Sequence, residues 1–142
     1  MYKDILLPVD LNQDSSWKSA LPVAIEHARA FDTRLHVMTV VPDFGMTMVG
    51  QFFPKGFEKK AVEACQGKLH EFVDAHIPED IAVQCIVAEG TVYERILEMA
   101  KKLKIDLIVL AAHRPELKDY LLGPNAARVV RHAACSVLVV RE

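Results

Sequence analysis

Short apolar runs of strand length alternate with segments of helical period along the whole 142-residue chain, and this alternation limits the fold more than any other feature. The first run, DILLPV within residues 2–9, has no polar face, as expected of a strand buried on both sides of a parallel sheet. It stops at Asp10, and LNQDSS follows as a loop with helix-start residues. Trp17, Leu21, Ala24, Ile25 and Ala28 then recur at helical spacing. Pro22 would kink that helix by removing a backbone donor, so its effective start is expected near Ser19.

The pattern continues to residue 140. RLHVMTVV, residues 34–41, reads as the second strand, closed by Pro42. Residues 43–56 carry three glycines, Pro54 and the apolar Met46, Met48, Val49, Phe52 and Phe53, and form the one long irregular connection, of the kind used as a lid, binding loop or linker. Val62, Cys65, Leu69, Phe72 and Val73 mark a long amphipathic second helix. IAVQCIVA, residues 81–88, is the third strand, with Gly90 at the turn. Val92, Ile96, Met99, Ala100 and Leu103 mark the third helix, and residues 105–111 the fourth strand. A short fourth helix over about 125–133 and a fifth strand over 135–140 follow. The order β-α-β-α-β-α-β-α-β implies an α/β fold: an open parallel sheet with right-handed crossovers and helices on both faces.

The length predicts one domain over residues 1–142 with a substantial core. A formal charge of −2 gives no reason to expect a nucleic-acid partner. Residues 1–10 read as a strand rather than a secretory signal, and no apolar run approaches bilayer-spanning length. Cys65, Cys85 and Cys135 have no metal-type spacing, and Cys85 and Cys135 lie in apolar runs where cysteine acts as a small hydrophobe. These features point to a reduced, cytoplasmic setting with no membrane partner.

In open parallel sheets, ligands bind beyond the carboxyl ends of the strands where the strand order reverses. The residues there are Pro8, Val9 and Asp10, then Thr39, Val40 and Val41, then the segment 111–125. Asp10 suits a sugar hydroxyl or an amino group, or equally a helix cap or turn acid. The Val40 and Val41 backbones suit the edge of a base, or their side chains simply fill core. The 111–125 segment leads from a strand to a helix start, where unpaired N–H groups can meet an anion. It offers Ala111, His113, Arg114, Lys118, Gly123, Pro124 and Asn125. Arg114 and Lys118 could meet phosphate charge, Gly123 permits close backbone approach, and Pro124 stands where helices favour proline. The same residues also fit a surface loop ending in a Gly-Pro turn. There is no GxxxxGK[ST] and no GxGxxG after a strand, which argues against a P-loop phosphotransferase or an ordinary dinucleotide enzyme. No nucleophile stands near His113 and no metal pattern is present, so no catalytic or metal-binding residue is assigned. His27, His36, His70, His76 and His132 read as structural or solvated.

With KDILLPVDL, IDLIVLAAH and LLGPNAARVVRHAACSVLVVR in place, the whole chain resembles the universal stress protein family. The resemblance implies a Rossmann-like, adenine nucleotide alpha hydrolase-like sheet in order 3-2-1-4-5. It also implies an adenine nucleotide, ATP or AMP with or without Mg2+, and a homodimer. Carried over by position, Asp10 would sit by the ribose or adenine and Val40 or Val41 by the base. Ala111, His113 and Arg114 would line the phosphate side, with Gly123 and Asn125 beyond. The family's motif is GxxGx9G[ST]. Here Ala111 and Arg114 replace the first two glycines, eight residues separate Arg114 from Gly123, and Pro124 replaces the hydroxyl residue. A charged hydrogen bond is worth about 1–3 kcal/mol, so loss of the Pro124 donors weakens phosphate binding about ten-fold or more, which Arg114 or Asn125 could offset.

In that strand order the fifth strand is an edge. CSVLVV over residues 135–140 would pair with its copy in a two-fold dimer, or be shielded in a monomer by Arg141 and Glu142. Three functions remain open at this level: an adenine-nucleotide-binding stress-response regulator, a slow ATPase or nucleotide-dependent transferase on the same site, and a nucleotide-free dimeric interaction module.

Overall fold

A computed structural model of the chain describes residues 1–41, 57–112 and 124–141. Five parallel strands form one sheet: β1 (Asp4–Pro8), β2 (Arg34–Val41), β3 (Val83–Glu89), β4 (Leu107–Ala111) and β5 (Ser136–Val140). Their order is β3-β2-β1-β4-β5, the order the family resemblance implies. Four helices connect them: α1 (Ala20–Phe31), α2 (Phe57–His76), α3 (Val92–Lys102) and α4 (Pro124–His132). The two connections on the β2–β3 side carry α1 and α2, and those leading to β4 and β5 carry α3 and α4.

Each face of the sheet holds its own core. Ile5, Leu7, Leu35, Val37 and Val109 point to one face and meet Leu21, Ala24, Ile25 and Ala28 of α1 and Leu69 and Phe72 of α2. Leu6, Met38, Ile108 and Leu110 point to the other and meet Ile96 and Ala100 of α3 and Ala126 and Val129 of α4. Two-residue alternation sends neighbours on one strand to opposite cores, and a strand buried on both sides is therefore largely apolar along its centre. That is why DILLPV lacks a polar face.

Pro22 causes no break. It is the third residue of α1, where a missing N–H is one of those without an intrahelical acceptor. The Leu21 N–H reaches back to the Trp17 carbonyl at 2.7 Å, so the chain enters the helix through the preceding turn at Asp14–Ser16. The Trp17 ring packs edge-on to Phe72 with centroids 4.9 Å apart, which ties this entry to α2. Strand ends shift slightly from the apolar runs. Residues 81–82 belong to the turn before β3, where the Ile81 N–H bonds the Pro78 carbonyl at 3.2 Å. Residues 105–106 belong to the turn before β4, where Ile105 bonds the Ala100 carbonyl at 2.8 Å. Ile81 and Ile105 are buried all the same, and burial rather than pairing made them look like strand.

Among the described residues no helix is long and apolar enough to cross a membrane.

Candidate functional site

The order reverses between β1 and β4, and the carboxyl ends of β1, β2 and β4 meet there. The last register pair of β1 with β2 is Pro8↔Met38. One step on, the Val9 N–H donates to the Met38 carbonyl at 2.7 Å. Backbone groups alternate sides along a strand, so the N–H and carbonyl of Val40 face the same side as the Met38 carbonyl, past the last register pair with β1. Val41 differs. Its carbonyl turns to the β3 side and accepts the Gly90 N–H at 2.9 Å. Of the two valines, Val40 directs backbone groups toward the notch beyond β1, while the Val41 side chain is buried.

Asp10 closes a tight local turn. Its Oδ1 accepts the Asn12 N–H at 3.0 Å and its carbonyl accepts the Gln13 N–H at 3.0 Å. The Asp10 N–H donates to Ser16 Oγ at 2.8 Å, and that hydroxyl donates to the Gln13 carbonyl at 2.7 Å. These bonds fix the direction of the β1 exit and leave the Asp10 residue exposed at the edge. The turn reading of Asp10 is thus present in the structure.

Cys65 of α2 lies near this edge, where Thr39, Lys68 and Asp10 influence its thiol. Burial pushes the thiol up from its ordinary range, against the opposing pull of Lys68 and Thr39. A thiol held protonated in this way is not a nucleophile. Thr39 is buried. Helical spacing alone assigns Cys65 to the core face of α2. Which strand end that face meets is a property of the tertiary fold.

Ala111 ends β4, and the following Ala112 N–H bonds the Val140 carbonyl at 2.9 Å. Pro124 is the first residue of α4 and Asn125 the second. Pro124 has no N–H, so Asn125 and Ala126 supply the first-turn N–H groups that lack an intrahelical acceptor. Arg128, one turn on, stacks over the Tyr93 ring at 4.7 Å and joins α4 to α3. His113, Arg114, Lys118 and Gly123 lie outside the described residues, as does the irregular connection over 43–56. Among the described residues no group of three or more His, Cys, Asp or Glu side chains could hold a metal ion.

Gly90 sets the β3 end of this edge. Its φ is 133°, a conformation side chains rarely adopt, and an added Cβ would lie 3.4 Å from Arg95 Cδ and Nε. Gly90→Ala should lower stability by about 1–3 kcal/mol, measured as a shift in the urea unfolding midpoint. A neutral substitution would mean the turn relaxes without strain.

A doubly wound parallel sheet in this order, with its open notch at the strand reversal, is a Rossmann-like α/β fold. The profile of the Universal stress protein family matches residues 1–141. The chain belongs to that family. Universal stress protein G of Salmonella typhimurium is 31% identical over 147 aligned positions, which cover 99% of this chain and 100% of the relative. The universal stress protein from Archaeoglobus fulgidus, solved in complex with dAMP, superposes with a TM-score of 0.69 at 20% identity, covering 98% of each chain. A universal stress protein solved in complex with cAMP gives 0.66 at 20% identity, covering 99% of this chain and 97% of that one. At these identities the solved structures establish the shared fold.

Proposed function

We propose that this chain is a stress-response regulator that binds an adenine nucleotide at the carboxyl ends of β1 and β4 and acts as a homodimer paired through residues 135–140. The observation that carries the reading is the notch itself. Pro8, Val9 and Asp10 end on one side of it, Val40 directs its backbone groups into it, and the α4 N-terminus follows β4 on the other side. Adenine meets Val40 through the backbone, the ribose meets Asp10, and the phosphates meet Ala111, His113, Arg114, Gly123 and the N–H groups of Asn125 and Ala126. Two fold relatives were solved with dAMP and cAMP, which supports an adenine nucleotide as the ligand class. In this reading ATP or AMP is bound and no residue is assigned to catalysis; magnesium-dependent phosphate release lost in Asp10→Ala would favour a slow ATPase on the same site.

One observation favours the nucleotide-free dimeric module instead. Pro124 begins α4, and it offers neither the hydroxyl nor the N–H that the family motif has at that place. The test is calorimetric titration of nucleotide-stripped protein with ATP and with AMP, with and without Mg2+. Micromolar binding is expected, weakened in Arg114→Ala and strengthened about ten-fold in Pro124→Ser as two donors return. No heat at millimolar nucleotide in the intact protein, with binding restored by Pro124→Ser, would establish the module reading.

A further inference from the structure

We infer that Tyr93 and Arg128 act as one positioning pair, which sets the first turn of α4 so that its N–H groups meet the phosphate of the nucleotide; this rests on the nucleotide site proposed above. α4 is weakly anchored. It has nine residues, too few to be stable by itself in water, and Pro124 in its first position brings no N–H. Its buried residues are Ala126 and Val129, whereas α1 buries five. Three apart, Ala126 and Val129 share one face, so they press the helix onto the sheet and give it no sideways tie.

Arg128 supplies that tie. It stands about 100° round the helix from Val129, and its Cζ lies 4.7 Å from the centroid of the Tyr93 ring on α3. A guanidinium over an aromatic face is drawn to the negative side of the ring's quadrupole. Tyr93 is the second residue of α3, and its ring is half-buried against the core that α3 and α4 share. The ring is therefore the fixed platform, and the exposed arginine is the part that is held. The Tyr93 hydroxyl donates to the Glu94 carboxylate at 3.3 Å and takes no part in the face contact.

The place of the contact connects it to binding. Helical side chains lean over the turn before their own Cα, and residues four apart share a face. Arg128 thus covers the turn that begins at Pro124, and Tyr93 covers the start of α3. Both helices start at the carboxyl edge of the sheet, since α3 follows β3 and α4 returns the chain to the amino end of β5. The pair joins the two helix starts at the edge where the notch opens. Without it, fewer chains hold the first turn set for phosphate, and apparent affinity falls by that fraction. Adenine and ribose are read by Val40 and Asp10, which belong to β2 and the β1 exit rather than to α4, so only the phosphate side responds.

Calorimetric titration of the whole chain with AMP and with adenosine tests this, because adenosine lacks the phosphate. Tyr93→Leu and Arg128→Met should each weaken AMP about two- to five-fold and leave adenosine unchanged. The double variant should bind AMP no more weakly than either single one. Tyr93→Phe keeps the ring face and should restore wild-type affinity. A loss shared equally by adenosine would mean a general packing defect, and losses that add would mean that Arg128 meets the phosphate by itself; either result overturns the pair. Amide hydrogen exchange on the ligand-free chain gives a readout that needs no nucleotide. The Arg128 and Val129 N–H groups close the first turn by the helical pattern, and they should exchange faster in Tyr93→Leu but not in Tyr93→Phe. A wild type that binds neither ligand would sink the nucleotide site, while unchanged exchange in Tyr93→Leu would overturn the pair even if the site stands.

Discussion

Leu6→Ala and Leu7→Ala should each lower stability by about 2–5 kcal/mol, or roughly 5–15 °C in melting temperature for a chain of this size. Both side chains are fully buried, Leu6 in the core under α3 and α4 and Leu7 in the core under α1 and α2. Each truncation leaves a cavity in the middle of a different layer, bounded by sheet on one side and helices on the other. Neighbours on a strand thus act on separate cores, and the double variant should lose about the sum of the single losses. Urea unfolding of the three variants measures this. A double variant off the sum by more than about 1 kcal/mol would show that β1 couples the two cores.

Val139→Pro should leave the protomer folded and weaken the proposed dimer by about thirty-fold or more. The Val140 carbonyl accepts the Ala112 N–H, so Val140 turns its backbone toward β4. By alternation Val139 turns its N–H outward, along the open edge of β5. Proline is tolerated at edge positions whose N–H faces away from the sheet. The substitution removes one donor from each protomer of a two-fold pair, and two hydrogen bonds at about 1 kcal/mol or more each give the stated effect. Val140→Pro would instead strike the β4–β5 ladder and destabilise the protomer. Sedimentation velocity over a concentration series separates the two. A Val139→Pro dimer as tight as the wild type would place the interface elsewhere.

Local physics made most elements legible. Runs with no polar face mark strands covered on both sides, and helical spacing marks the buried faces of α1 to α3, although Val92 of α3 is exposed. In α4 the spacing would turn Ala126, Val129 and Val130 inward, and Val130 is exposed. The exceptions at strand ends have one cause. Residues 81–82 and 105–106 look like strand because Ile81 and Ile105 are buried, yet both lie in turns before the strands begin. Apolarity reports burial, while strand ends are decided by pairing with a neighbour. Pro22 shows the reverse case, since its effect depends on its place in the helix, and in the first turn it costs no hydrogen bond.

The place of a candidate notch was readable in outline, because strand ends can be located from composition and the family resemblance implied the strand order. Asp10, Val40 and Pro124 could be named from the chain in that way. Long-range neighbours could not. Cys65 of α2 is influenced by Thr39, Lys68 and Asp10, and reads locally as a core cysteine. His36 meets Asp4 32 residues away and Gln84 48 residues away, and reads locally as one polar residue in a strand.

The sequence by itself determined the alternation of elements, the two-sided burial of β1 and the residues available at its end. Those features rest on periodicity and on the cost of leaving apolar surface in water. The tertiary structure alone decided that Val40 rather than Val41 turns its backbone toward the β1 side, that α2 brings Cys65 near Thr39, and that His36 sits between Asp4 and Gln84. Each depends on register, and register is set by which strands pair rather than by any one strand's composition.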